Sequence, residues 1–216
     1  MDKVSTTRRF STLLRGGHRR DQFEFLLRAR SLVLICLASI VGATAASAQV
    51  AFCDPGVGGV IPCPCSNPPS GPGRGCDNST PTGGASIAAA GVASVTPALD
   101  TLVFTATFVR PGATTVLIQG DVAVPGGLTM GMGIRCLTGH LRRLYQKPAV
   151  GGTATMPDLG TGDPDVWTRS AATGDPIAPA THRYYAAYYR DPVVLGGCPA
   201  NATSNMSPAL DVTWIP

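Results

Sequence analysis

From residue 85 onward the chain alternates short apolar runs with turn-forming residues. In "TLVFTATFV" (101–109), Leu102, Phe104, Ala106 and Phe108 fall on one face, and Val103, Thr105, Thr107 and Val109 on the other. That period of two predicts a strand. "RPGA" then signals a turn, and "TTVLIQGDVAV" (114–124) resumes the pattern. "GMGIRCL", "HLRRLY", "HRYYAAYYRD" and the closing "LDVTWI" continue it, and in the last of these Leu210, Val212 and Trp214 share a face. No stretch beyond the leader keeps helical periodicity over three turns. Residues 146–181 are polar and rich in Gly, Pro and Asp, which predicts long loops with a strand or two. β-Branched and aromatic runs cut by Gly, Pro, Asp and Asn define an all-β class, with a β-sandwich or jelly roll as the expected architecture.

The first 48 residues follow different rules. An apolar run with small residues behind it, "SLVLICLASIVGATAASA" (31–48), comes after seven arginines between Arg8 and Arg30. This is the layout of a secretory signal peptide, with Ala46-Ser47-Ala48 as the cleavage box and Gln49 as the new N-terminus. "TTRRFS" resembles a twin-arginine signal with Phe10 one place early, so the choice of export route stays open, as does the true start codon. The expected organisation is a cleaved leader at 1–48, a Pro/Gly-rich clamp at 49–84 and a single β-sandwich domain at 85–216, secreted or held at the outer cell surface with no membrane span in the mature form.

Removing the leader changes the charge. Eight of the 17 basic and three of the 13 acidic residues lie in it, leaving nine bases against ten acids. The mature chain therefore has no basic surplus for nucleic acid or anionic lipid. It contains no glutamate, and Lys147 is its one lysine.

Six cysteines remain after the leader: Cys53, Cys63, Cys65, Cys76, Cys136 and Cys198. The spacings between the first four leave nine, one and ten residues, with no histidine nearby. Neither zinc nor a Cys-x-x-Cys redox centre has that pattern, so the expectation is three disulfides in an oxidising compartment. Cys63 and Cys65 flank Pro64 and project from one face of an extended segment, so each needs its own partner. The shortest solution pairs Cys53–Cys63, Cys65–Cys76 and Cys136–Cys198; its rival swaps the local bonds to Cys53–Cys65 and Cys63–Cys76.

"FCDPGVGGVIPCPCSNPPSGPGRGCDNSTPTGGASIAAAG" resembles the opening of a group of secreted, Cys-Pro-Cys-containing bacterial β-proteins. "GIRCLTGHLRRL", "YYAAYYRDP" and "LDVTWIP" are similar to later segments of that group. The resemblance implies export and an all-β fold. It implies no activity, because the group has none established. "GMGIRC" lacks the aspartate usual there, so no ion-binding role carries over.

Candidate chemistry is sparse. His140 and His182 could each join Asp121, Asp163 or Asp191, but no nucleophile motif accompanies them. Asp158, Asp163 and Asp165 offer calcium a cluster of oxygens at a spacing unlike an EF-hand; no other cofactor is implied. Asn78, Asn201 and Asn205 begin N-glycosylation patterns that carry no weight in a bacterial product. The best surface candidate is "HRYYAAYYRD", where Tyr184 and Tyr188 point one way and Tyr185 and Tyr189 the other, with Arg190 adjoining. Arg135, Arg142 and Arg143 add a small polar patch. Exposed tyrosines stack on sugars or anchor protein partners. The expected function is a non-enzymatic module that binds an extracellular glycan or surface protein, or serves a structural role. The alternatives are a polysaccharide hydrolase using Asp and His, and a surface protein that self-assembles through a strand edge.

Overall fold

The computed structural model describes residues 49–216, which form one compact unit. The expected signal peptide, with its cleavage box, falls outside the described residues. Eleven strands dominate the described residues, so the all-β class holds. They are β1 (Gln49–Phe52), β2 (Ser86–Ala90), β3 (Val103–Thr107), β4 (Thr114–Gly120), β5 (Val122–Met130), β6 (Gly133–Thr138), β7 (Arg142–Pro148), β8 (Ala154–Met156), β9 (His182–Arg190), β10 (Ser204–Met206) and β11 (Ala209–Thr213). One helix, α1 (Val166–Ala172), interrupts the 146–181 region. Two turns are too short to show a helical period, and the Asp165 carboxylate starts them by accepting from the Thr168 amide at 2.7 Å.

The central sheet runs β1-β11-β9-β4-β7, every neighbour antiparallel. β9 is its axis. β4 lies along one side, while β11 and β10 share the other, end to end. Ser207 fills the gap between them: its amide donates to the Ala187 carbonyl and its hydroxyl accepts from the Ala187 amide. A second sheet, β2-β3-β8, covers one face of the central sheet, and the β5–β6 hairpin covers part of the other.

One face is therefore buried and the other is covered in part. Phe104, Met156, Leu117, Tyr185, Val212 and Trp214 pack between the two sheets. On the opposite face Val116, Ile118 and Ala186 meet Ile134, Cys136 and Leu137 of the hairpin. This explains why β4 is buried from Thr115 to Gly120 without alternation. Phe108 departs from the expected pattern. Its φ of +58° turns it out of the strand, leaving it half exposed, and Val109 takes the core position.

The cysteine pairing differs from expectation. The bonds are Cys53–Cys136, Cys63–Cys76 and Cys65–Cys198, so none of the three pairs Cys53–Cys63, Cys65–Cys76 and Cys136–Cys198 forms. Cys63 and Cys65 do take separate partners, and Cys63–Cys76 belonged to the rival scheme. The clamp is not self-contained: it is tied to β6 by Cys53 and to the loop before β10 by Cys65. Sequence proximity favoured local loops, whereas spatial proximity set two long ones, with Cα separations of 6.0 and 4.9 Å.

Inside the clamp, buried amides replace ladder bonds. Asn67 donates to the carbonyls of Asp77 and Met132, Asn205 donates to those of Cys76 and Asp77, and Asp77 accepts from the Asn78, Gly83 and Gly84 amides. Buried irregular backbone needs such partners. The approach is close enough to require glycine. A Cβ on Gly84, where φ is +88°, would lie 1.9 Å from the Gly75 carbonyl oxygen.

Candidate binding groove on the central sheet

The two tyrosine pairs of β9 have opposite fates. Tyr185 and Tyr189 are wholly buried. The Tyr185 hydroxyl donates to Gln119 Oε1 at 3.0 Å and accepts from Trp214 Nε1 at 3.2 Å. Gln119 in turn donates to Ser170 Oγ and to Asp175, whose carboxylate receives a two-pronged grip from Arg183. Burial pushes the Tyr185 and Tyr189 phenols well above their usual pKa, so both stay neutral. This chain of polar groups is structural: it fastens α1 and its following loop to the sheet.

Tyr184 and Tyr188 lie on the other face, and both are half-buried. They do not form one platform. Four residues of strand put them roughly 13 Å apart, and the hairpin covers Ala186 between them. Tyr184 makes an edge contact with Phe52, ring centroids 5.8 Å apart. Burial, then the nearby Asp211 charge, raises its pKa.

Tyr188 sits in a groove of about 280 Å³ together with Thr114, Val116, Arg143, Gln146 and Arg190. The register explains this grouping. Val116 is the partner of both Tyr188 on β9 and Gln146 on β7, and it forms the apolar floor. A bulge between Leu117 and Ile118 resets the β4–β7 register. Leu144 and Tyr145 both turn to the core, which leaves Arg143 and Gln146 on the outer face, both exposed. Arg190 closes one end; its side chain donates one hydrogen bond, to Thr203 Oγ1 at 3.4 Å. No carboxylate lines the groove. Sequence reading singled out Tyr188 and Arg190 and placed Arg143 in a polar patch, but missed Gln146 and Thr114. "RRLYQ" carried the signal, because two adjacent apolar residues between polar ones break a strict alternation.

The remaining candidates are occupied or lie elsewhere. His140 Nδ1 and Asp121 Oδ2 are 2.7 Å apart, as are His182 Nδ1 and Asp211 Oδ1. The His140 hydrogen bond holds Asp121 below the usual carboxylate range. Both pairs are exposed, at the end of the sheet opposite Arg190. Asp191 is buried against Ser79, with Arg110 Nε at 3.6 Å, and touches neither histidine. In the aspartate-rich loop, burial acts to raise Asp163, but Lys147 at 2.8 Å and the Asp158 amide outweigh it, and its pKa is lowered. Asp165 caps α1. These carboxylates are thus engaged by protein donors, and no metal-binding group of three or more ligands occurs among the described residues. Asn78 and Asn205 are buried, whereas Asn201 is exposed.

A wider crevice of about 410 Å³ lies beside β1, walled mainly by Phe52, Val57, Val60 and Pro125. Its Asp54 accepts from the Gly73 amide. It has apolar walls, whereas the Tyr188 groove is polar. No family model, curated protein or solved structure matches the chain.

Proposed function

We propose that the chain is an exported, disulfide-locked β-sandwich module that binds an extracellular glycan through the outer face of its central sheet, without catalysis. The observation that supports this most is the Tyr188 groove. An aromatic ring over an apolar floor, with guanidinium, amide and hydroxyl donors at the rim, suits a sugar ring, which offers an apolar face and a polar edge. Export fits three disulfides and a leader of secretory layout, and among the described residues no helix is long and apolar enough to cross a membrane. Kinship with the Cys-Pro-Cys group is part of the same proposal.

The test is glycan-array binding by oxidised residues 49–216, with Tyr188→Ala and Tyr184→Ala assayed separately. Binding lost with Tyr188→Ala and kept with Tyr184→Ala supports the groove. A protein partner becomes the reading if no glycan binds.

The hydrolase alternative draws on the two His–Asp pairs, each with Nδ1 engaged and Nε2 left for a substrate. It requires polysaccharide cleavage that disappears in His140→Ala or His182→Ala. Self-assembly draws on β1, a four-residue edge strand with Val50 59% exposed, and would show as polymers of the oxidised protein.

A further inference from the structure

The cations of this chain are mostly committed. Lys147, Arg110 and Arg183 lie against carboxylates, Arg142 and Arg169 donate to backbone carbonyls, and Arg74 donates to the Thr82 and Gly83 carbonyls while stacking 3.5 Å from the Phe108 ring centroid. Among the described residues three arginines have neither an ion pair nor a carbonyl partner: Arg135, Arg143 and Arg190. Arg135 lies on the face of β6 that alternates away from Ile134 and Cys136. Arg143 and Arg190 both line the Tyr188 groove, which holds no acid. In a mature chain with ten acids to nine bases, two unpaired guanidiniums in one carboxylate-free groove make a local positive field that the protein itself does not neutralise.

From this we infer that the groove takes an anionic saccharide, one sugar ring bearing a carboxylate or sulfate. This rests on the glycan-binding reading and narrows it. Tyr188 stacks on the ring, Arg143 and Arg190 grip the anionic group from either side, and Gln146 and Thr114 bond hydroxyls. Guanidinium forks match planar carboxylates and sulfates with paired hydrogen bonds. At about 280 Å³ the groove has room for a single ring, so a polymer would cross it one residue at a time.

Titration calorimetry on oxidised residues 49–216 tests this with matched probes: oligogalacturonate against its methyl ester, and dextran sulfate against dextran. The expected result is binding of one or both acidic probes, little for their neutral partners, and weakening as salt rises. Arg143→Gln and Arg190→Gln should each weaken it by about tenfold with unchanged thermal unfolding. Preference between the two acidic probes identifies carboxylate or sulfate as the group held. Equal binding of acidic and neutral probes, lost in Tyr188→Ala but indifferent to both arginine variants, overturns the anionic inference and leaves glycan binding standing. Acidic binding that survives both arginine variants also overturns it, because the charge is then read elsewhere. Failure to bind any of the probes, repeated across the glycan array, removes both.

Discussion

The two faces of β9 come from one decapeptide, yet they are built differently. On the inner face Arg183, Tyr185 and Tyr189 are hydrogen-bonded to Asp175, Gln119, Trp214 and Asn78. On the outer face Tyr188 and Arg190 leave most of their hydrogen-bonding capacity unused, and the cover over Ala186 is a hairpin linked by Cys136 to Cys53 beside β1. The inner face is closed by packing and a buried polar network. The outer face is closed in the middle and open at one end. On the proposed reading, stability and recognition are thus assigned to alternate residues of the same strand.

The strongest way to break this contrast is to release the outer cover. Cys53→Ser with Cys136→Ser opens a link of sequence separation 83, and should cost about 4.5 kcal/mol if chain entropy dominates. Urea unfolding measures the loss. Hydrogen exchange sharpens it: β5–β6 amides should lose protection before those of β2-β3-β8. Equal loss in both would mean that one disulfide holds the whole fold and that the faces are not independent.

Next in size is the inner network. Tyr185→Phe keeps the ring but orphans Gln119 Oε1 and Trp214 Nε1, both buried, at an expected cost of about 1–3 kcal/mol. Tyr188→Phe on the outer face should change stability by less than about 0.5 kcal/mol. Comparable effects from the two would erase the distinction.

Much of this contrast was legible in the chain. Alternation alone put Tyr184 with Tyr188 and Tyr185 with Tyr189, and assigned β3, β4, β9 and β11 to strands. It did not say which pair was core, because both faces of the central sheet are at least partly covered and β4 shows no alternation to orient its neighbour. The disulfide scheme failed for a related reason. Spacing ranks nearby cysteines first, but the partners of Cys53 and Cys65 are set by where β6 and the loop before β10 arrive in space. Phe108 shows the limit of periodicity, since one positive φ reverses inside and outside without altering the pattern. Half of the groove was readable from "YYRD"; Gln146 and Thr114 joined it only through a bulge and the β4–β7 register.

The inner core also predicts a pH dependence. Asp100 is buried, accepts from the Leu102 and Trp167 amides, and has a pKa pushed up to about 6 by burial first and then by the neighbouring Asp165 charge, against the pull of those amides. A carboxyl whose folded pKa is raised binds its proton more tightly in the native state. Its contribution is therefore present in full below about pH 4 and is lost as pH rises through 6, by about 2–3 kcal/mol at most. Asp121 and Asp163, both lowered, act in the opposite sense, and their loss at lower pH is small because both are partly exposed. Thermal unfolding should thus peak near pH 4–5 and decline toward pH 7. Asp100→Asn, which keeps an acceptor for the amides and cannot ionise, should remove most of that decline, and an unchanged slope would detach Asp100 from it.

The smallest effect on stability is the one that bears most on the proposed function. Tyr188 is half-buried over Val116 at the open end of the outer face, so Tyr188→Ala should destabilise by about 1 kcal/mol, well below a core aromatic truncation. Tyr184→Ala loses the Phe52 contact and should cost about as much. If the outer face is a recognition surface, these near-equal losses part company in a binding assay: Tyr188→Ala abolishes the glycan signal and Tyr184→Ala leaves it. The hairpin over Ala186 keeps the two rings from sharing one ligand ring. Equal loss of binding in both variants would mean that the ligand spans the hairpin and that the outer face acts as one surface.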